Sequence, residues 1–162
     1  MSHSPQQNDV VQIRVVKNTD VPKVLKLIKS ILESEFGKEA VVYPQIDLYD
    51  LEASYGGQRD CFLIAEREGR IVGTTAIKEE DTKVALLRRI FVDPKYRGKG
   101  YGLALIEKAI EFCKKKNYRK ISFQGTSRMT MALTLCRKKG FQEVDRIPME
   151  DFEIIRFSLR LS

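Results

Sequence analysis

From Val92 the chain reads Val-Asp-Pro-Lys-Tyr-Arg-Gly-Lys-Gly-Tyr-Gly, ending at Gly102. An apolar run rich in strand formers stops at Asp93-Pro94, crosses a basic turn with glycine at every second position, and opens onto a segment of helical periodicity. That succession of strand, glycine turn and helix constrains the fold more than any other stretch. Glycine accepts φ > 0 and lets a ligand come close to the backbone, so the turn's N–H groups and the helix N-terminus can converge on one anion, as in a pyrophosphate cradle. Arg97 and Lys99 add full positive charges. The spacing Gly98-x-Gly100-x-Gly102 is not G-x-G-x-x-G, and Lys99 is followed by glycine where a P-loop has Ser or Thr, so neither common nucleotide motif fits.

The flanking elements follow from periodicity. Gln12 to Val16 alternates as a short strand, and Thr19-Asp20-Val21-Pro22 offers a cap and a first-turn proline to a helix. Its apolar residues Val24, Leu25, Ile28, Ile31 and Leu32 fall three and four apart, and Phe36-Gly37 closes it. A shorter helical piece is predicted after Pro44, with Asp47 as cap and Leu48, Leu51 and Tyr55 inside. Strands are predicted over 61–66 and 70–77, joined by a hairpin turn at Glu68-Gly69, and over 84–92. Beyond the glycine turn, Leu103, Ile106, Ala109, Ile110 and Cys113 define a helical face, with Lys114 to Lys116 suited to its negative end and Asn117 as its stop. A strand at 121–123 precedes a helix capped by Ser127, carrying Met131, Ala132, Leu135 and Cys136 and leaving through Gly140-Phe141. Strands near 141–146 and 152–161 complete an α/β (α+β) order, β-α-α-β-β-β-α-β-α-β-β. One domain is expected over 10–162, behind a flexible tail over 1–9.

This order resembles the GNAT superfamily of N-acetyltransferases over roughly residues 11 to 161. Arg97-Gly98-Lys99-Gly100-Tyr101-Gly102 matches that family's acetyl-CoA signature, an Arg or Gln, two residues, then Gly-x-Gly or Gly-x-Ala. Ala132-Leu133-Thr134-Leu135-Cys136-Arg137-Lys138-Lys139-Gly140-Phe141 is similar to its Ala-x-x-Leu-Tyr-x-x-x-Gly-Phe segment. The resemblance implies a mixed, mainly antiparallel twisted sheet flanked by about four helices. It implies acetyl-CoA as cofactor, no metal, and transfer to the primary amine of a small molecule or an amino terminus by direct attack in a ternary complex. Backbone groups of Ile90, Phe91 and Val92 would then pair with the pantetheine arm, and Arg97, Gly98, Lys99, Gly100, Tyr101 and Gly102 would hold the pyrophosphate.

Acetyl transfer needs a neutral amine, and an alkylammonium of pKa near ~10 must first lose a proton. The family's glutamate base aligns with Leu86, so the base is unidentified. Candidates are Glu79, Glu80, Asp81, Asp47, Tyr43 and Glu52, each with solvation or packing as the plainer reading. The family's tyrosine, which faces the CoA sulfur, is replaced by Cys136, expected either to line the thioester pocket as a weak acid or to be a buried core cysteine. The run Ser127-Arg128-Met129-Thr130 has Met129 where the family often has asparagine. Candidate acceptor contacts are Tyr43, Asp47, Arg88 and Ser127. Arg88 and Arg89 occupy successive strand positions, so alternation sends them to opposite faces, and one can meet an anionic acceptor.

Composition narrows the alternatives. The net charge of +7 over 162 residues suits polyanions in general. No RNP-type aromatic motif, zinc-finger spacing or helix-turn-helix punctuation accompanies it, so nucleic acid is not the expected partner. The one histidine, His3, lies in the polar tail, which argues against histidine catalysis. Three cysteines without paired spacing suggest a reduced, cytoplasmic setting. No apolar run approaches the ~20 residues of a membrane span. The resemblance leaves room for a homodimer. Because both family residues are missing at the aligned positions, an acyl-CoA-binding sensor or partner-binding module is the alternative to an enzyme.

Overall fold

The computed structural model describes residues 11–37 and 46–161. Among them seven strands form one sheet in the order β1-β2-β3-β4-β5-β7-β6. The strands are β1 Gln12–Val15, β2 Cys61–Arg67, β3 Arg70–Glu79, β4 Val84–Val92, β5 Lys120–Thr126, β6 Gln142–Pro148 and β7 Glu153–Arg160. The α-helices are α1 Val21–Ile31, α2 Leu51–Tyr55, α3 Tyr101–Lys115 and α4 Thr130–Lys138. The mixed, mainly antiparallel sheet with four helices is therefore as expected. The tail 1–9 and Tyr43 lie outside the described residues.

The sheet is antiparallel at every step except between β4 and β5. A parallel pair requires a crossover, and the glycine turn with α3 supplies it. At the other end of the hairpin pattern, Glu68 and Gly69 both take positive φ, 52° and 75°, as a two-residue turn matched to strand twist demands. Leu105, Ile106, Ala109 and Cys113 of α3 are fully buried, the larger ones contributing ~1.5–3 kcal/mol each. Helices cover both faces of β3. A Cβ on Gly73 would meet Leu105 of α3, whereas Lys78 reaches over the Tyr55 ring of α2. No helix among the described residues is long and apolar enough to cross a membrane.

Three expected caps are made differently. Helix α1 starts at Val21 with Pro22 in its first turn, but the Asp20 carboxylate accepts from the Lys17 amide and from Arg14, tying the helix entry to β1. Asp50, not Asp47, caps α2, accepting from the Ala53 amide at 3.0 Å. Helix α4 begins only at Thr130, and the Ser127 hydroxyl instead accepts from the Glu153 amide at 2.9 Å, where β7 starts. Helix α1 also runs into a π-turn, Leu32–Phe36, before Gly37. Strand β5 is longer than the predicted 121–123 because β7 pairs with it from Lys120 to Thr126.

Candidate functional site

Strand β4 pairs with β3 along most of its length, but out of step. One extra β4 residue is inserted between the pairs Thr74–Phe91 and Ala76–Arg88, and Arg89 lies in this bulge at φ 58°. Left-handed backbone costs a residue with a side chain ~1–2 kcal/mol. The Thr74 hydroxyl donates to the Arg89 carbonyl at 2.7 Å and the Thr75 hydroxyl, more weakly, to that of Arg88 at 3.4 Å. Both threonines are buried, so they stand in for ladder bonds that the bulge removes. The insertion also moves Phe91 onto the face of Arg88, where plain alternation would put it on the other. On its far side, β4 pairs with β5 only as far as Leu87 and Phe123, although the strands continue to Val92 and Thr126. Past Leu87 the two strands part, and β4 has no strand partner on that side. The Val92 carbonyl in this stretch accepts from Arg97 Nε at 3.1 Å.

The glycine turn lies beyond. Gly98 and Gly100 take φ of 79° and 86°, and a Cβ built on either would meet nothing within 4 Å. They leave exposed, unobstructed backbone at the head of α3, whose leading N–H groups have no intrahelical acceptors and carry the positive end of the helix dipole. That turn suits a diphosphate. Gly102 has a different job, since a Cβ there would sit 2.6 Å from Leu135 Cδ1 and 3.3 Å from Val92 Cγ2; it lets α3 and α4 approach. The Tyr101 side chain is buried, so only its backbone faces the turn's chemistry. Arg97 is engaged by Glu35 through both terminal nitrogens, at 3.0 and 2.9 Å, which fastens the π-turn after α1 to the glycine turn.

Two cavities meet at the parted strands. A narrow one of about 40 Å³ is lined by Glu35, Phe36, Ile90, Phe91 and Met129, among others. A larger one of about 600 Å³ includes Leu86, Arg88, Lys120, Ser122 and Gln124 in its wall. Phe91 and Met129 belong to both walls. In the larger cavity, Arg156 is paired with Asp145 and Arg89 with Asp47, whereas Arg88 and Lys120 have no ion pair among the described residues. Glu80 is the one carboxylate among the residues lining it. The cavity is therefore electropositive.

The candidate residues separate clearly in the fold. Arg88 lines the large cavity; Ile90 and Phe91 line the narrow one. Asp47 lines neither of the two cavities. It is buried, gripped by two nitrogens of Arg89, and accepts from the Tyr55 hydroxyl at 2.5 Å. Burial pushes its carboxyl up, but the bonds from Arg89 and Tyr55 outweigh this and hold it below the usual carboxylate range. The Tyr55 hydroxyl is pushed up, first by burial and then by Asp47. Alternation does not separate the neighbouring arginines as expected, because the bulge interrupts the strand there and both Arg88 and Arg89 line the large cavity. Ser127 is used by β7. Cys136 is 0% exposed and lines neither cavity, and burial pushes its thiol up to about 12. Of the two readings for it, the geometry matches core packing.

The base candidates fare likewise. Glu79 pairs with Arg59 at 2.6 Å, and Asp81 accepts from the amides of Lys83 and Val84 in its own turn. Glu52 is exposed on α2 and lines neither cavity. Glu80 lies at the cavity's far end. Its amide donates to the Val84 carbonyl at 3.0 Å, and from Val84 Phe91 is ~20 Å or more away along β4 at ~3.3 Å per residue. Sequence reading missed Glu35, Thr74, Thr75 and the part played by Arg89. A pair of adjacent threonines in a central strand was the one available signal.

The model of the Acetyltransferase (GNAT) family matches residues 25–142. N-acetylaspartate synthetase of Xenopus tropicalis is 38% identical over 100 residues, which are 60% of this chain and 37% of that protein. The human protein of the same name is 36% identical over 101 residues, 60% of this chain and 33% of its own. An N-acetyltransferase of Methanocaldococcus jannaschii is 37% identical over 90 residues, covering 52% and 40% respectively. The chain thus spans well under half the length of these relatives. In fold, it is similar to an acetyltransferase of Streptococcus agalactiae, with a TM-score of 0.82 at 22% identity over 93% of this chain and 98% of that one. Salmonella typhimurium yncA, solved with its cofactor acetyl-CoA, has a TM-score of 0.74 at 14% identity over 94% of each chain.

Proposed function

Because this chain belongs to the acetyltransferase (GNAT) family, we propose that it transfers an acetyl group from acetyl-CoA to the primary amine of a small molecule, by direct attack in a ternary complex. The observation that carries this reading is the parting of β4 from β5 between an open glycine turn at a helix head and an electropositive cavity. Acetyl-CoA supplies an activated acyl group. The Gly98–Gly100 turn and the head of α3 hold its diphosphate, and the unpaired β4 backbone beyond Leu87 pairs with its amide arm as an added strand would. Direct transfer is supported by the cysteines: Cys61, Cys113 and Cys136 are free, buried and absent from both cavity walls, so none offers itself as an acyl carrier. With Glu80 distant from Phe91, the acceptor's proton leaves through water rather than directly to a carboxylate.

Arg88, with Lys120 further along, suits an acceptor that carries a carboxylate beside its amine. The name N-acetylaspartate synthetase, borne by the Xenopus and human relatives, supports an acidic amino acid such as aspartate. Assembly as a homodimer belongs to the same proposal, supported by Val144, Ile147 and Met149 exposed on and beside edge strand β6. So does a cytoplasmic setting, supported by the three free thiols. The test is release of free CoA thiol from acetyl-CoA with aspartate, glutamate, alanine, a polyamine and a short peptide in turn. Turnover is expected to be best with aspartate or glutamate and to fall at least tenfold in kcat/KM for Arg88→Met. Preference for the polyamine would refute the anionic acceptor. Acetyl-CoA binding with no turnover of any amine would favour the sensor alternative.

A further inference from the structure

Arg89 does two things that a strand arginine ordinarily does not. It holds a positive φ inside a sheet, and it buries its charge, at 8% exposure. In a bulge of this kind the left-handed position is ordinarily a glycine, so an arginine there must be held. It is held at both ends: Thr74 donates to its carbonyl, and the Asp47 carboxylate grips its guanidinium and accepts in turn from Tyr55. Asp47 lies in the 3-10 turn Ile46–Tyr49 and Tyr55 closes α2, so the segment over 46–55 and the bulge form one bonded unit. The cofactor turn is fastened separately, by Arg97 to Glu35.

We infer that Arg89, Asp47 and Tyr55 form a positioning latch, in which docking of the 46–55 segment holds the bulge of β4 and thereby aims Arg88 and Phe91 into the acceptor cavity. Arg89 touches no reacting atom and acts through the backbone it fixes. The latch governs chiefly how an acceptor is held; it shares with the amide arm of acetyl-CoA the β4 backbone it fixes, but not the diphosphate turn, which Arg97 and Glu35 fasten. It deepens the acetyltransferase reading and rests on it for the kinetic part of its test.

The test uses Asp47→Asn and the double variant Arg89→Gly with Asp47→Asn. Glycine keeps the left-handed backbone available, and the paired asparagine avoids stranding a buried carboxylate. Three quantities are measured: acetyl-CoA binding by calorimetry, steady-state kinetics with aspartate varied, and amide hydrogen exchange over 46–55 and 88–92. The latch predicts acetyl-CoA affinity weakened by less than tenfold, since the amide arm shares the loosened β4 backbone, and an aspartate KM raised at least tenfold with kcat within threefold. It also predicts exchange at least tenfold faster in both segments together. Arg89→Lys, which keeps the charge but not the two-point grip, should recover only part of the KM. An unchanged KM, or faster exchange in 46–55 with 88–92 as in the parent, would overturn the latch. If the parent itself acetylates no amine, the enzymatic reading fails while the exchange comparison still decides for or against the latch.

Discussion

Replacing Gly100 by valine separates the cradle's architecture from its ligand. At φ 86° a valine Cβ meets no neighbouring atom within 4 Å, so the penalty in the free protein is backbone strain alone, ~1–2 kcal/mol. At ~2–4 °C per kcal/mol for a domain of this size, the melting temperature should fall by ~2–8 °C. The branched side chain then stands in the space that the diphosphate would enter. Losing one or two charge-assisted hydrogen bonds at ~1.5–3 kcal/mol each gives a weakening of roughly tenfold to ten-thousandfold. Gly102→Ala is the companion. Its Cβ presses on Leu135 and Val92, so it should cost stability through overpacking, ~1–3 kcal/mol less the helix preference of alanine, while acetyl-CoA affinity stays within about threefold. Thermal melts and calorimetric titration read both variants. Parent-like acetyl-CoA affinity in the Gly100 variant would refute the cradle, however its stability changed.

Glu35→Gln frees Arg97 from its bidentate partner and removes a negative charge from the narrow cavity; acetyl-CoA should bind ~3–10-fold more tightly, ~0.7–1.4 kcal/mol, and weaker binding in calorimetry would mean that the pair instead holds the cradle together. Cys136→Ala should leave the acetyl-transfer rate within about threefold and cost ~1 kcal/mol of stability as a small cavity, whereas a large loss of rate with intact acetyl-CoA binding would restore the thiol as an acid. Asp47 and Asp20 are both held below the usual carboxylate range, Asp20 chiefly by Arg14, so the stability they contribute is present above ~pH 4 and lost as pH falls through their native values. Urea melts of Asp47→Asn should therefore show a less stable protein at pH 7 and a shallower loss of stability from pH 5 to pH 3; a slope equal to the parent's would remove Asp47 from the acid response.

Element order, the crossover at the glycine turn and the hairpin at Glu68-Gly69 were legible because each rests on local rules: two- or three-residue periodicity, or the φ that glycine permits. Gly98 and Gly100 were readable for the same reason, whereas Gly102 belongs to the packing of α3 on α4 and only the neighbour reveals it. Arg89 was opaque. A bulge is one residue of excess between two strands far apart in sequence, and nothing within Leu86-Leu87-Arg88-Arg89-Ile90 marks where it falls. Side chains with several local uses were also misplaced. Ser127 and Asp47 each suit a cap, but tertiary partners, the start of β7 and the Arg89 guanidinium, compete for the same oxygens and win because their bonds are buried or tie strands together.

Phe91 and Met129 stand between the two cavities as a party wall, contributing to the surface of each. A partition made of two side chains, one of them a flexible thioether, divides space without dividing it permanently. If acetyl transfer runs as proposed, an acyl group longer than acetyl would have to push the wall toward the larger room, and whatever length it gained there would be length denied to the acceptor. Donor and acceptor sizes are then not independent tolerances but shares of a common volume, so that a protein able to admit a bulkier acyl chain does so by narrowing the range of amines it can serve.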